Sequence, residues 1–218
     1  MLSAKVIVEL QDETTNRWHE LPDERQQSAL PNQPADADAG NRTGRDWLDL
    51  VARQHRANFD LWHIEDEART PGATDSELAA VKRRIDKTNQ QRNDLVEELD
   101  RSLLAWLEAR GLPNSAAPLQ SETPGLIIDR LSILALKIYH TSQEAKRADA
   151  PPGHAERNRE RLAILHEQRD DLASCLDALW LETLNGSRRF KLYQQMKMYN
   201  DPSLNPAIYR KAKAEHGG

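Results

Sequence analysis

Apolar residues recur at intervals of three and four along most of this chain, and the intervals break where Pro, Gly and Asn gather. Between Asp46 and Arg69, the residues Trp47, Leu50, Val51, Ala57, Leu61, Ile64 and Ala68 trace one helical face, which Thr70-Pro71-Gly72 ends. A second helix opens at Asp75 or Ser76 and runs to Arg110-Gly111, with Leu78, Val81, Ile85, Leu95, Leu99, Leu103 and Trp106 as its expected buried face. A third spans Glu122 to His140. There Thr123 suits the cap and Pro124 the first position, where a missing N–H costs nothing. Apolar side chains cover nearly its whole circumference, the pattern of a helix surrounded by others. A fourth helix is predicted from about Ala155 to Leu184, with Leu162, Leu165, Leu172, Leu176 and Leu179 turned inward, and a last one over roughly Ser187 to Tyr199.

The remaining stretches are less patterned. Residues 2–20 fit either a short helix or an extended arm, and 21–45, rich in Pro, Asp, Ala, Asn and Gln, reads as a mobile loop. A single helical domain is expected over residues 46–209, followed by a frayed tail at 210–218. The fold class is therefore all-α, a bundle of about five to six helices.

A weak internal repeat refines this. NQQRNDLVEELD at residues 89–100 aligns with HEQRDDLASCLD at 166–177, each with its Gln-Arg in the middle of a long helix. Two helical hairpins related by approximate two-fold pseudosymmetry would follow, with Arg92 and Arg169 both turned to the middle, near Glu65, Asp66 and Asp129.

Polar residues that interrupt the apolar faces are the candidate chemistry. Asp129 and Arg130 sit on the most apolar helix, where a charge is expensive unless it is paired or lines a pocket. His55, Asn58, Trp62 and Glu65 share one stripe, and Asn89, Arg92 and Asn93 fall where the next helix should be apolar. Two accounts compete: an interhelical salt-bridge network, or a cleft in which guanidinium and amide groups hold an anionic or hydroxyl-rich ligand. In the second, Glu65, Asp66 and Asp129 are the acid/base candidates. The ligand-binding set is then His55, Asn58, Trp62, Asn89, Arg92, Asn93, Arg130, Arg169 and Lys197.

Composition narrows the partners. A formal charge of −5 gives no general drive toward nucleic acid. One cysteine, Cys175, excludes an internal disulfide framework and is expected to pack near the core. The third helix is too short and too charged to span a bilayer, and the acidic opening MLSAKVIVELQDE is unlike a secretory leader, so a cytoplasmic protein is expected. His55 and His63 lie off a common face and no H-E-x-x-H pair occurs, so no metal is expected. Ser132 has no nucleophile elbow around it, and no Gly-rich phosphate loop or dinucleotide fingerprint suggests a cofactor.

The blocks HRANFDLWHIEDEAR, KRRIDKTNQQRNDLVEELD, ETPGLIIDRLSILALKIYH, EQRDDLASCLDAL and YQQMKMYNDPSLNP resemble an uncharacterised bacterial family, domain of unknown function DUF4254, over most of the chain. The resemblance implies a cytoplasmic helical protein, whose relatives often lie near genes for surface-polysaccharide or lipopolysaccharide assembly. It transfers no activity. Three readings stay open: a module binding a small phosphorylated or sugar metabolite, an acid/base enzyme on a sugar or nucleotide-sugar, and a structural protein such as a homodimer.

Overall fold

A computed structural model describes residues 2–21, 39–194 and 203–206. Five helices run through them: α1 (Ala4–Glu20), α2 (Ala39–Glu67), α3 (Asp75–Glu108), α4 (Pro124–Lys146) and α5 (His154–Leu184). The architecture is all-α. α2 pairs chiefly with α3 and α4 with α5, giving two helical hairpins, while α1 lies against α2, α4 and α5. Among the described residues no helix is long and apolar enough to cross a membrane.

Local chemistry sets the helix ends. Thr74 and Glu77 form a reciprocal capping box at the start of α3, each satisfying a backbone N–H that the helix leaves open. Thr123 accepts from Leu126 N at 3.3 Å at the start of α4, and Pro124 takes the first helical position. A second tie holds this end: the Thr123 hydroxyl donates to the buried Asp100 carboxylate, which also accepts from Gly125 N at 2.7 Å. Gly125 is required there. A Cβ at this position would stand 2.7 Å from the Val96 carbonyl oxygen and 2.9 Å from Asp100 Cγ, so α3 and α4 come this close only without a side chain.

The main core gathers Ile7 of α1, Val51 of α2, Leu99 and Leu107 of α3, Ile128 and Leu131 of α4 and Leu176 of α5, all at or near zero exposure. A smaller cluster, Trp18, Phe59 and Leu136 with Trp62 against it, extends the packing toward the C-terminal ends of α1 and α2. α4 is buried on nearly every side, as its circumference of apolar residues requires.

Several expectations need correction. Leu78 on α3 is exposed and Val81 and Ile85 are only half-buried. Continuous burial of that helix starts near Asn93, because α4 reaches it only around Val96 and Asp100. Cys175 is exposed, since the inward face of α5 narrows there to Leu176, Leu179 and Trp180. Helix α2 starts at Ala39, within the stretch expected to be a loop. Residues 187–194 form no helix: Arg189 N donates to Pro118 O at 3.1 Å, Gln120 N donates to Arg189 O at 2.7 Å, and Phe190 is sunk into the core. With both backbone groups of Arg189 paired to residues 118–120, the segment is held extended at that point. Finally, Arg169 does not join Arg92 at the middle. It donates to Asp12 of α1 at 2.8 Å, because α1 packs against α5 and offers it a carboxylate there.

Candidate functional site

Helices α1, α2 and α4 bring their polar residues together in two layers. In the first, His55 of α2 bridges α1 and α4: its Nε2 lies 2.8 Å from Thr15 Oγ1 and its Nδ1 2.7 Å from Ser132 Oγ. A neutral imidazole offers one donor and one acceptor nitrogen, and hydroxyls serve either role, so both ends are satisfied without charge. Full burial pushes the His55 pKa down to about 3, against a small opposing effect of the Gln11 backbone. Asn58 Nδ2 donates to Ser132 Oγ and to Asp129 Oδ1, both at 2.9 Å, and Gln54 Nε2 donates to the same Asp129 oxygen at 2.7 Å.

Arg92 completes this layer from α3. Its Nε stands 3.7 Å from Asp129 Oδ1, and its Nη2 donates to Asn93 Oδ1 at 3.2 Å. Burial raises the Asp129 pKa, with Arg92 and the two amides opposing the rise. Asp129 is 8% exposed and its Oδ1 accepts from two side-chain amides, so the bonds tie α2 to α4, while Gln54 Oε1 and Arg92 Nε in the same layer are buried without a hydrogen-bond partner.

The second layer lies about two helical turns further along α2 and α4, where His19, His63 and His140 meet. Their ring centroids are 4.9 to 5.8 Å apart. Tyr139 stacks on His19 at 4.0 Å, and Trp62 stacks on His140 at 4.6 Å with the two planes 1° apart. His19 Nδ1 is 2.8 Å from the Thr15 carbonyl, so that nitrogen carries the proton and Nε2 holds a lone pair. Neither His19 Nε2 nor His140 Nε2 has a hydrogen-bond partner, although both atoms are buried. An unpaired buried polar atom costs about 1–3 kcal/mol. Burial lowers the pKa of His19, and it lowers that of His140 to about 4, with the neighbouring imidazoles adding to the shift.

Two openings flank this layer. A groove of about 380 Å³ between α4 and α5 is lined by Trp62, His140, Lys137, Asn158, Arg161 and Gln168, among others. It continues into a stretch of about 470 Å³ bordered by Arg130, Lys137, Gln168 and Cys175, and the shared Lys137 and Gln168 make the two one groove. On the other side a hollow of about 730 Å³ is bordered by His19, His63, Asp60, Asp66 and Arg84.

The part of the chain that builds most of both layers also matches a family. The model of the family described as "Protein of unknown function (DUF4254)" aligns with residues 48–192. The chain belongs to DUF4254. Comparison with curated proteins and with solved structures returned no match. The match begins after α1, so the DUF4254 region supplies His55, His63 and His140 while Thr15 and His19 come from outside it.

Of the residues singled out from sequence, His55, Asn58, Arg92, Asn93 and Asp129 come together in the first layer of this DUF4254 protein. Trp62 belongs to the second. Glu65 pairs with Arg69 at the surface, and Asp66 borders the hollow beside His63. Arg130 donates to Glu122 at 2.6 Å and borders the groove, and Asn89 is half-buried on α3. Lys197 lies outside the described residues. Sequence reasoning left Thr15, His19, Gln54, Lys137, His140, Arg161 and Gln168 out of the candidate set. The available signals were Lys137 as a charge on the apolar helix, Gln168 in the internal repeat, and Trp18 and His19 beside Thr14 and Thr15 at the end of a segment otherwise read as an arm.

Proposed function

We propose that this protein binds a small anionic, hydroxyl-rich metabolite of the sugar-phosphate class, and that it does so in the α4–α5 groove. The observation that carries this reading is the aromatic end of the groove: Trp62 and His140, stacked in parallel, give way along its wall to Lys137, Arg161, Asn158 and Gln168. The C–H face of a sugar packs on such an aromatic surface, the Gln168 amide matches its hydroxyls, and the cations match a phosphate, while the buried Asn158 holds Arg161 in place. Lys137 is exposed and stands in both stretches of the groove, so one cation serves a ligand spanning them.

In this reading Asp129 and Arg92 are framework. The buried network fixes α2 against α4 and thereby fixes the spacing of Trp62 and His140, one on each helix. This favours binding over acid/base catalysis by Asp129, whose Oδ1 already accepts from two protein amides. The surface-polysaccharide setting that the family resemblance implies makes a precursor sugar phosphate or nucleotide-sugar the first ligand class to try.

Calorimetric titration of the protein with a hexose 1-phosphate, a nucleotide-sugar, the free sugar and inorganic phosphate tests the reading. Saturable binding of a phosphorylated sugar, weakened tenfold or more by Lys137→Ala and by Trp62→Ala, is expected. Equal affinity in both variants with an unchanged circular dichroism spectrum, or no binding by any of the four, would overturn it.

A further inference from the structure

The layer above His55 holds three imidazoles from three helices, and the groove reading uses only one of them. We propose that His19, His63 and His140 form a three-histidine site for a divalent transition-metal ion of the zinc class.

Geometry is the first support. One ring nitrogen from each residue lies within 4.8 Å of the other two. Three atoms so placed lie no more than about 2.8 Å from a common centre, against zinc–nitrogen bonds of about 2.0–2.1 Å. Closing that gap takes a shift of less than about 1 Å in each ring, within the reach of small χ rotations. The helices themselves need not move.

The second support is the orphaned pair of nitrogens. His19 Nε2 and His140 Nε2 are buried without a hydrogen-bond partner, and that of His19 carries a lone pair because its Nδ1 donates to a backbone carbonyl. His19 in addition shows the outer arrangement of a metal-binding histidine: its other nitrogen donates to a backbone carbonyl, that of Thr15, which fixes both tautomer and ring plane.

The donor set selects the class of ion. Three imidazoles without a thiolate suit zinc, cobalt, nickel or copper and are poor for calcium or magnesium, which take oxygen ligands. Three protein ligands also leave a coordination position for water or another small ligand. The hollow bordered by His19 and His63 opens past Asp60, Asp66 and Glu67, with Asp60 paired to Arg56 and Glu67 to Arg84.

The site stands independently of the metabolite, and the test uses metal alone. The full chain, free of any histidine tag and treated with chelator, is titrated with Zn²⁺ against a chromophoric competitor and with Co²⁺ by visible absorption. One ion per chain is expected, with a cobalt d–d spectrum of low coordination number. His19→Ala and His140→Ala should each weaken binding by more than the roughly 10–100-fold that loss of an outer partner costs. His154→Ala, which alters a surface histidine paired with Glu144, and Lys137→Ala should leave it unchanged. Because His19 also packs on Tyr139, His63→Gln is a further variant and the circular dichroism spectrum of each is compared. No stoichiometric binding by the wild type, or equal binding by all three ligand variants, would overturn the proposal and leave the histidines as aromatic packing.

Discussion

Acid should destabilise this protein through one residue more than any other, His55. Its pKa moves from the ordinary 6.5 to about 3 on folding, because no water reaches the ring to solvate a charge. Below pH 6.5 the unfolded chain therefore binds a proton at this position that the folded chain refuses, and stability falls as pH falls. The contribution is complete above pH 6.5. At about 1.36 kcal/mol per pH unit, some 2 kcal/mol is lost by pH 5, and the loss approaches about 5 kcal/mol near pH 3. Other groups titrate in this window. His140 acts in the same direction, while Asp100, raised to about 6 chiefly by burial, acts in the opposite one between its ordinary 3.8 and 6. The difference between wild type and His55→Gln isolates the residue. Urea unfolding of both at pH 7 and pH 5 should show the wild type losing about 2 kcal/mol more than the variant over that interval. Equal losses, or a His55 ring whose NMR signal titrates near 6.5 in the folded protein, would refute the reasoning.

Three further changes probe the scaffold. Gly125→Ala drives a methyl to 2.7 Å from the Val96 carbonyl, which as backbone cannot rotate away, and should cost about 1–3 kcal/mol in urea unfolding. Asp129→Ala leaves the Gln54 and Asn58 amides and the Arg92 guanidinium facing a cavity, for an expected loss of about 3–5 kcal/mol. Arg92→Leu keeps both amide bonds to Asp129 and should cost less, and the reverse order of the two midpoints would show the ion pair to be the main tie. Thr74→Ala removes the capping box of α3 and should cost about 1 kcal/mol, with faster amide exchange confined to the first turn of that helix.

Much of the framework could be read from local pattern, and what could not has a common cause. The start of α4 was legible because Thr123 and Pro124 act on their own neighbours. Asp129 announced its need for partners by standing on an apolar helix, and Arg92 by interrupting another. Gln54 escaped notice although it stands four residues from Leu50 and Asn58 and three from Val51 and Ala57, inside the expected apolar face, and it makes the shortest bond to Asp129. The helix expected over Ser187–Tyr199 had good local periodicity, but Phe190 and the backbone of Arg189 are claimed by a segment some 70 residues earlier in the chain. His19, His63 and His140 share no sequence spacing at all. Only the docking of α1 makes them neighbours, and nothing local reports that docking.

That docking makes α1 behave as a ligand that the rest of the chain carries with it. Its buried face, from Ile7 through Gln11 and Thr15 to Trp18, fills a slot whose other walls lie in the family-matched region and is held there by side-chain bonds to α2, α4 and α5. A protein cut into residues 2–21 and 39–218 should then reassemble on mixing, with the short piece as the reporter. Because Thr15 and His19 arrive only with that piece, assembly and completion of the histidine layer would be one event, observable from either side.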